Sequence, residues 1–440
     1  MKRLLCFLPV VVVLFSCNNN DDEPTPEVSS DSDQVLLDYR GNAKTITINS
    51  EEDWTATTDA DWLTLSQNSG TGSVEIEISA SKNDETSERS TQIIISNVWQ
   101  SEFTITVRQS KTPETVGMYI LSEGNWGSFQ AELAYYDFST GAISQKYYGT
   151  QNGGAVLGDT GNALAIYGSK MYCIVSGKDM TDGGYIQMLD PKTGIAGKRI
   201  EVTNSEGEKV MPRKITFYEN KAYITTYSGE VARLDTASLT IDGRVKLSGT
   251  FPEGICQYKG KLYVCNSGKG TDSTISVVDI ASFNEEKTIT VPMNPVDIVA
   301  TAKGDIYFTT ATLYWSTGKL SNLHLLDAET EMLVKTFDIR ASRLALGDDY
   351  LYTVENETDW STYETVDYTY KVDLETKESS IFSKLKDYFM MYNVSVNPVN
   401  GDVYIGGQGQ DVAILGQDGV LKTYLETGTG FTNTIVPIFN

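Results

Sequence analysis

A short phrase recurs seven times in this chain of 440 residues: a turn, then an apolar residue and a tyrosine, then a β-rich run. The copies are Met118-Tyr119, Met171-Tyr172, Ala222-Tyr223, Leu262-Tyr263, Ile306-Tyr307, Leu351-Tyr352 and Val403-Tyr404. Tyr119 to Tyr404 is 285 residues in six intervals, a mean period of 47.5. Self-similarity at a period of about 20–50 residues marks stacked or radial repeats, whose units bury their apolar faces only against one another. Seven strand-like units of this size predict a seven-bladed β-propeller. In such a fold the repeat is scaffold and function lies in loops on one face.

Each repeat reads as four strands, A to D. Strand A is an alternating run, as at 162–166, 214–217 or 343–346. A tight turn with Gly or Asn follows, as at Gly168-Ser169 or Asn400-Gly401, and supplies the positive φ that short hairpins need. Strand B carries the tyrosine. Strand C ends at Asp137, Asp190, Asp235, Asp279, Asp327 or Asp373, each opening a turn that a carboxylate caps by accepting backbone N–H groups. The recurring Tyr and Asp are therefore architecture. Tyr119 has no strand A before it, while 431–438 is a spare strand at the other end. That segment is predicted to complete the first blade and so remove the open edges.

Net charge is −24 and the sequence pI is near 4.4. Phosphate binding needs clustered Lys and Arg, so nucleic acid is excluded as a partner, as is a basic membrane-surface role. The acidity reads as surface solubility. The single histidine, His324, stands in a strand-like run and is read as structural. That argues against zinc hydrolases and Ser-His-Asp enzymes, which draw on histidine, but leaves carboxylate-only chemistry open. No metal-type cysteine spacing is present, and no cofactor is expected. Cys256 and Cys265 flank a turn and could either bridge across a hairpin or stay buried as free thiols.

The N-terminus has a basic start, Met1-Lys2-Arg3, and an apolar stretch from Leu4 to Phe15, too short for a comfortable membrane span. Leu14-Phe15-Ser16-Cys17 resembles a bacterial lipobox, which implies a signal peptide over 1–16 and lipidation of Cys17. Residues 17–34, rich in Asn, Asp, Ser and Pro, read as a disordered tether. The acidic run Asp21-Asp22-Glu23 resembles the export signal of surface lipoproteins in gut-type Gram-negative anaerobes. The implied location is the outer membrane, lipid-anchored and facing the cell exterior.

Residues 35–110 alternate with period two at 44–48, 73–78 and 103–107, with Gly, Asn and Ser clusters between, and predict a small Ig-like β-sandwich. Asp53-Trp54, Asp61-Trp62-Leu63-Thr64-Leu65, Ser69-Gly70-Thr71-Gly72, Asn83, Arg89 and Val107-Arg108-Gln109 resemble the landmarks of a BACON domain. The resemblance implies either carbohydrate binding or a spacer. Trp54 and Trp62 could stack on sugar rings or fill the core of the sandwich, and core is the preferred reading.

The propeller, 116–440, resembles the YncE-like propellers in its repeat form. The runs 119–128, 157–160 and 166–172 are similar to surface-lipoprotein propellers that include the BtuG corrinoid-capture proteins. That resemblance implies a corrinoid (cobalamin) ligand and a TonB-dependent outer-membrane transporter as partner. Loops B–C and D–A share one face of a propeller, and here the B–C loops vary in length. They carry large aromatics, and exposed aromatics on variable loops call for something to cover them. The predicted ligand-binding residues are Trp126, Phe129, Asn152, Asp159, Tyr185, Arg213, Tyr227, Trp315, Trp360 and Tyr392. Flat rings suit a corrin or a sugar, while Asn, Asp and Arg suit amide or hydroxyl groups. The expectation is a non-enzymatic surface protein that binds a nutrient and delivers it to a transporter, touching the membrane through its lipid anchor only. The alternatives are a glycan-binding accessory protein of polysaccharide uptake, a carboxylate-based glycan lyase or hydrolase, and a protein-interaction scaffold.

Overall fold

The computed structural model describes residues 26–311, 321–355 and 368–440. Cys17, Trp315 and Trp360 lie outside the described residues. The chain divides into two compact units, Met1–Pro113 and Glu114–Asn440. Among the described residues both are all-β but for one short helix, Tyr147–Gln151.

The first unit is a sandwich of two sheets. One holds strands Val28–Ser30, Lys44–Ser50, Leu63–Leu65 and Val74–Ala80; the other holds Gln34–Leu37, Asp53–Thr57, Ser69–Thr71, Arg89–Asn97 and Glu102–Gln109. Its folded part reaches back to Val28, because Val28–Ser30 pairs with Ile48–Ser50 and Val28 is buried. A three-residue strand is too brief to show as alternation in a polar stretch, so the tether read over 17–34 overlaps the fold. Alternate residues point inward: Ile46, Ile48, Ile76, Ile78, Ile93, Ile95, Ile105 and Val107 form one core with Trp54. Trp54 is 1% exposed, and a Cβ on Gly70 would stand 2.7 Å from its ring. Trp62 is covered by the Arg89 guanidinium, 4.5 Å from its centroid, and Arg89 Nε donates to Gln109 Oε1 at 2.7 Å. Trp54 is therefore a core residue, and the half-buried Trp62 packs at the edge of that core beneath Arg89.

The second unit is a seven-bladed propeller. Seven four-stranded antiparallel sheets follow one another along the chain. Six have their strands in chain order, and their innermost strands are Gly161–Tyr167, Pro212–Tyr218, Pro252–Tyr258, Pro295–Ala300, Arg343–Leu346 and Met391–Val396. In the first blade the innermost strand is the last of the chain, Thr432–Phe439, paired antiparallel with Thr115–Ser122. Each innermost strand contacts the next around the whole circle, so the ring closes. Six of the seven strand-B tyrosines are at most 1% exposed, and Tyr352 is 5% exposed; they fill the spaces between blades. The strand-C aspartates cap their turns. Asp190 Oδ1, for example, accepts from the N–H groups of Lys192 and Thr193 and from Thr193 Oγ1. These hydrogen bonds hold such carboxyls below the usual carboxylate range, as for Asp137 through Ser139.

His324 is a satisfied core residue. It stacks on Phe308 at 4.9 Å and bonds Thr310 at 3.2 Å and Thr336 at 3.0 Å. Cys173, Cys256 and Cys265 are free and buried. Cys256 stands opposite Tyr263 in the ladder, not opposite Cys265, so no hairpin bridge forms.

Candidate functional site

Six of the seven innermost strands carry a β-bulge at the end where they enter from the D–A loop. The ladder skips Asn162, then Arg213 with Lys214, Glu253 with Gly254, Val296, Tyr392 and, in the first blade, Asn433. A bulge adds one residue to a strand and re-aims its side chain, and bulges concentrate at barrel rims and functional sites. In five blades the residue just before the innermost strand is a non-glycine in the left-handed region: Thr160 (φ 59°), Phe251 (47°), Asn294 (63°), Met390 (48°) and Phe431 (59°). Such positions cost on the order of 1 kcal/mol each and cluster where function requires them.

The bulged residues meet at the axis. Lys214 Nζ donates to the Asn162 carbonyl at 3.1 Å and to Asn433 Oδ1 at 3.2 Å, joining three blades. Asn433 Nδ2 in turn donates to Glu123, at the start of the B–C loop of the first blade. Arg213 Nε donates to Glu253 Oε2 at 3.0 Å, the Tyr227 hydroxyl donates to the other oxygen of Glu253, and the Arg213 guanidinium lies 4.6 Å from the Tyr227 ring. Burial pulls the Lys214 pKa down, reinforced by Arg343 and Arg213 and opposed by Asp297 and Glu123. Burial likewise raises Asp297, against Lys214 and Arg343. Tyr392 is pushed up by burial and by Glu123. Only the axis lets side chains from so many blades feel one another. Among the described residues the cations Arg213, Lys214 and Arg343 and the carboxylates Glu123, Glu253 and Asp297 feel one another there, and Lys269 lies over the Tyr227 and Phe251 rings. Asn162 is fully buried and its Oδ1 lacks a hydrogen-bond partner among the described residues, which marks a polar site.

The loop beside this mouth holds Trp126 (73% exposed) and Phe129 (46% exposed). Trp126 Nε1 donates to the Lys178 carbonyl at 2.8 Å, which ties the B–C loops of the first two blades together. Phe129 is left-handed, φ 54°, and is held so by Asp159, which is 1% exposed. The Asp159 carboxylate accepts from the N–H groups of Gly127 at 3.2 Å and Phe129 at 2.9 Å and from Thr160 Oγ1 at 2.7 Å.

The predicted residues thus separate. Arg213, Tyr227 and Tyr392 come together at the mouth; Trp126 and Phe129 stand beside it, and Asp159 shapes their loop from below. Asn152 and Tyr185 are packing residues. Asn152 follows the helix Tyr147–Gln151, which drops along the blade toward the opposite face. Its amide bonds the Gly194 carbonyl at 3.1 Å and the Ala196 N–H at 2.7 Å in the far turn of the second blade. The Tyr185 hydroxyl donates to the Leu157 carbonyl beneath an Arg199 guanidinium 4.0 Å from its ring, and burial pushes it up to about 12. Glu123, Lys214, Glu253, Asp297, Arg343 and Asn433 were missed. A signal for part of the set existed: Pro212, Pro252 and Pro295 recur at the starts of three innermost strands, directly before the bulged residues. Among the described residues no group of three or more His, Cys, Asp or Glu is placed to hold a metal ion.

Residues 116–414 match the model of a domain of unknown function, DUF5074. Residues 52–110 match BACON, an N-terminal domain to which a binding role is ascribed. A curated relative, the xyloglucan-specific endo-β-1,4-glucanase BoGH5A of Bacteroides ovatus, is 29% identical over 112 residues. That match covers 25% of this chain and 22% of the enzyme, so it spans about a fifth of the relative. Among solved structures, Kuenenia stuttgartiensis hydrazine synthase aligns with a TM-score of 0.51 at 15% identity, covering 62% of this chain and 93% of that one, a likeness of fold. The Neurospora crassa Pan2 WD40 domain aligns with a TM-score of 0.45 at 10% identity, over 58% of this chain and 75% of that one.

Proposed function

The chain belongs to the DUF5074 family and carries a BACON domain ahead of its propeller, and on that premise we propose that it is a non-catalytic, lipid-anchored surface protein of the outer membrane. Its loop face captures a nutrient and passes it to an outer-membrane transporter. The observation that carries this reading is the axial mouth, where bulged residues of several blades bring buried charged and polar side chains together and the buried Asn162 Oδ1 lacks a hydrogen-bond partner among the described residues. The mouth carries charges of both signs together with tyrosine and asparagine, which suits a ligand rich in amides or hydroxyls. Trp126 and Phe129 add flat apolar surface next to it. A corrinoid, whose ring is flat and whose rim bears amides, is the first candidate.

Glycan capture is the second reading. It is favoured by the BACON domain and by the relative whose name is that of a xyloglucanase. Titration of cobalamin into the chain from Asn18 onward, by calorimetry, tests the first reading. One-to-one binding that weakens at least tenfold in Trp126→Ala supports corrinoid capture. Absence of heat with the folded protein sinks it and leaves the glycan reading.

A further inference from the structure

Beside the mouth, the loop face of the first and last blades opens into a cleft of about 860 Å³, within the size range of small-molecule sites. Five glycines, Gly149 and Gly154 among them, form much of its wall and bring backbone peptide groups to the surface. Among the described residues Glu132 and Lys146 lie in it, one charge of each sign, and no arginine lines it. Glu132 Oε1 accepts the backbone N–H groups of Leu133 at 2.9 Å and Tyr148 at 3.0 Å. Its Oε2 lies toward Gly149, 3.8 Å from where a Cβ on that glycine would stand, and the Gly149 backbone also bonds the carboxylate. The other polar side chains, such as Gln130, Thr150 and Gln410, both donate and accept hydrogen bonds. Among the described residues Phe129 is the one aromatic residue of the lining. Its left-handed backbone, fixed by Asp159, keeps the ring nearly half exposed at the edge.

This lining discriminates between ligand classes. An anion would call for N–H donors and arginine, a cation for several carboxylates, and an apolar ligand for a wall of aliphatic side chains. Paired donor–acceptor groups, an offset charge pair and one flat ring match a neutral polyol with one apolar face. We propose that the cleft is a carbohydrate subsite. A pyranose ring lies against Phe129, and its hydroxyls bond Glu132 Oε2 and the amides of Gln130 and Gln410. The inference rests on the reading of the loop face as the binding face, and it assigns the sugar to this cleft rather than to the mouth or to the BACON tryptophans.

The test uses the chain from Asn18 onward on an array of plant and host oligosaccharides, with each hit measured by calorimetry. Gly149 has ordinary helical backbone, and a Cβ there meets nothing closer than 3.5 Å, so Gly149→Phe fills the cleft without backbone strain. The expected result is a hit whose affinity falls at least thirtyfold in Gly149→Phe and about tenfold in Phe129→Ala, as loss of one ring contact implies. The melting temperature is expected to hold in both variants. A hit that binds both variants as well as the parent overturns the cleft assignment but leaves the loop face intact. No array hit, with cobalamin still bound by parent and variants, overturns the carbohydrate class alone. No binding of either probe overturns this inference together with the reading of the loop face.

Discussion

Replacement of Asp159 by Ala should release the Trp126–Phe129 loop without unfolding the propeller. The buried carboxylate accepts three hydrogen bonds, from Phe129 N–H at 2.9 Å, Gly127 N–H at 3.2 Å and Thr160 Oγ1 at 2.7 Å. Hydrogen bonds to a charged acceptor contribute about 1.5–3 kcal/mol each. The Thr160 hydroxyl can rotate to another partner, and the Gly127 bond is long, so the loop loses about 3 kcal/mol. Relaxation of Phe129 from its left-handed φ of 54° returns about 1 kcal/mol. The net effect, about 2 kcal/mol, corresponds to a roughly thirtyfold larger open population of the loop. Native-state hydrogen exchange at the Phe129 amide should therefore accelerate about thirtyfold in Asp159→Ala and less in Asp159→Asn, which keeps one acceptor. The melting temperature of so large a domain should fall by only about 3 °C. Exchange at Phe129 within threefold of the parent would refute the claim that Asp159 sets the loop.

Three further outcomes follow from the packing. A chain ending at Gly430 lacks the closing strand Thr432–Phe439, whose Ile435 is buried and whose Val436 and Ile438 pack between the first blades. At about 1.5–3 kcal/mol per buried aliphatic side chain, before the lost ladder bonds, the loss rivals the whole stability of a domain. Size-exclusion chromatography should show aggregate, and a folded monomer would contradict the closure argument. Burial lowers the pKa of His324 to about 4, from an ordinary 6.5. The unfolded chain then takes up the proton first as pH falls. Stability is fully present above about 6.5 and declines between 6.5 and 4, by on the order of 3 kcal/mol in total. His324→Gln should flatten denaturant-unfolding stability across that window, and an unchanged slope would refute the assignment. Finally, a thiol reagent should find no reactive cysteine in the native chain from Asn18 onward and three after denaturation, since Cys173, Cys256 and Cys265 are buried and free. Fast labelling in the native state would contradict that packing.

The propeller was legible because its signal is repeated. Tyrosine, turn and aspartate recur at a steady period, and each has a local physical role that sequence spacing encodes. The sandwich was legible from its alternation, although Val28–Ser30 was too short to show. The mouth was only partly legible. Lys214, Glu253 and Asp297 lie on adjacent repeats with different side chains, and only closure of the ring brings them to one axis. Aromaticity pointed to Trp126 and Phe129, which stand exposed on the loop face, and equally to Tyr185, whose hydroxyl is used inside the fold. Asn152 misled because the helix after Lys146 redirects a connection that ordinarily stays on the loop face.

The most direct test of the central claim is hydrogen exchange across the chain from Asn18 onward with and without a saturating ligand, either cobalamin or the strongest array hit. The account predicts new protection at 123–130, 213–214, 251–254 and 390–393 with cobalamin, and at 129–132, 146–156 and 428–430 with an array hit, with the aspartate-capped turns 137–141, 190–194 and 235–239 unchanged. Protection confined to those turns or to the BACON domain would place the ligand elsewhere and contradict the account.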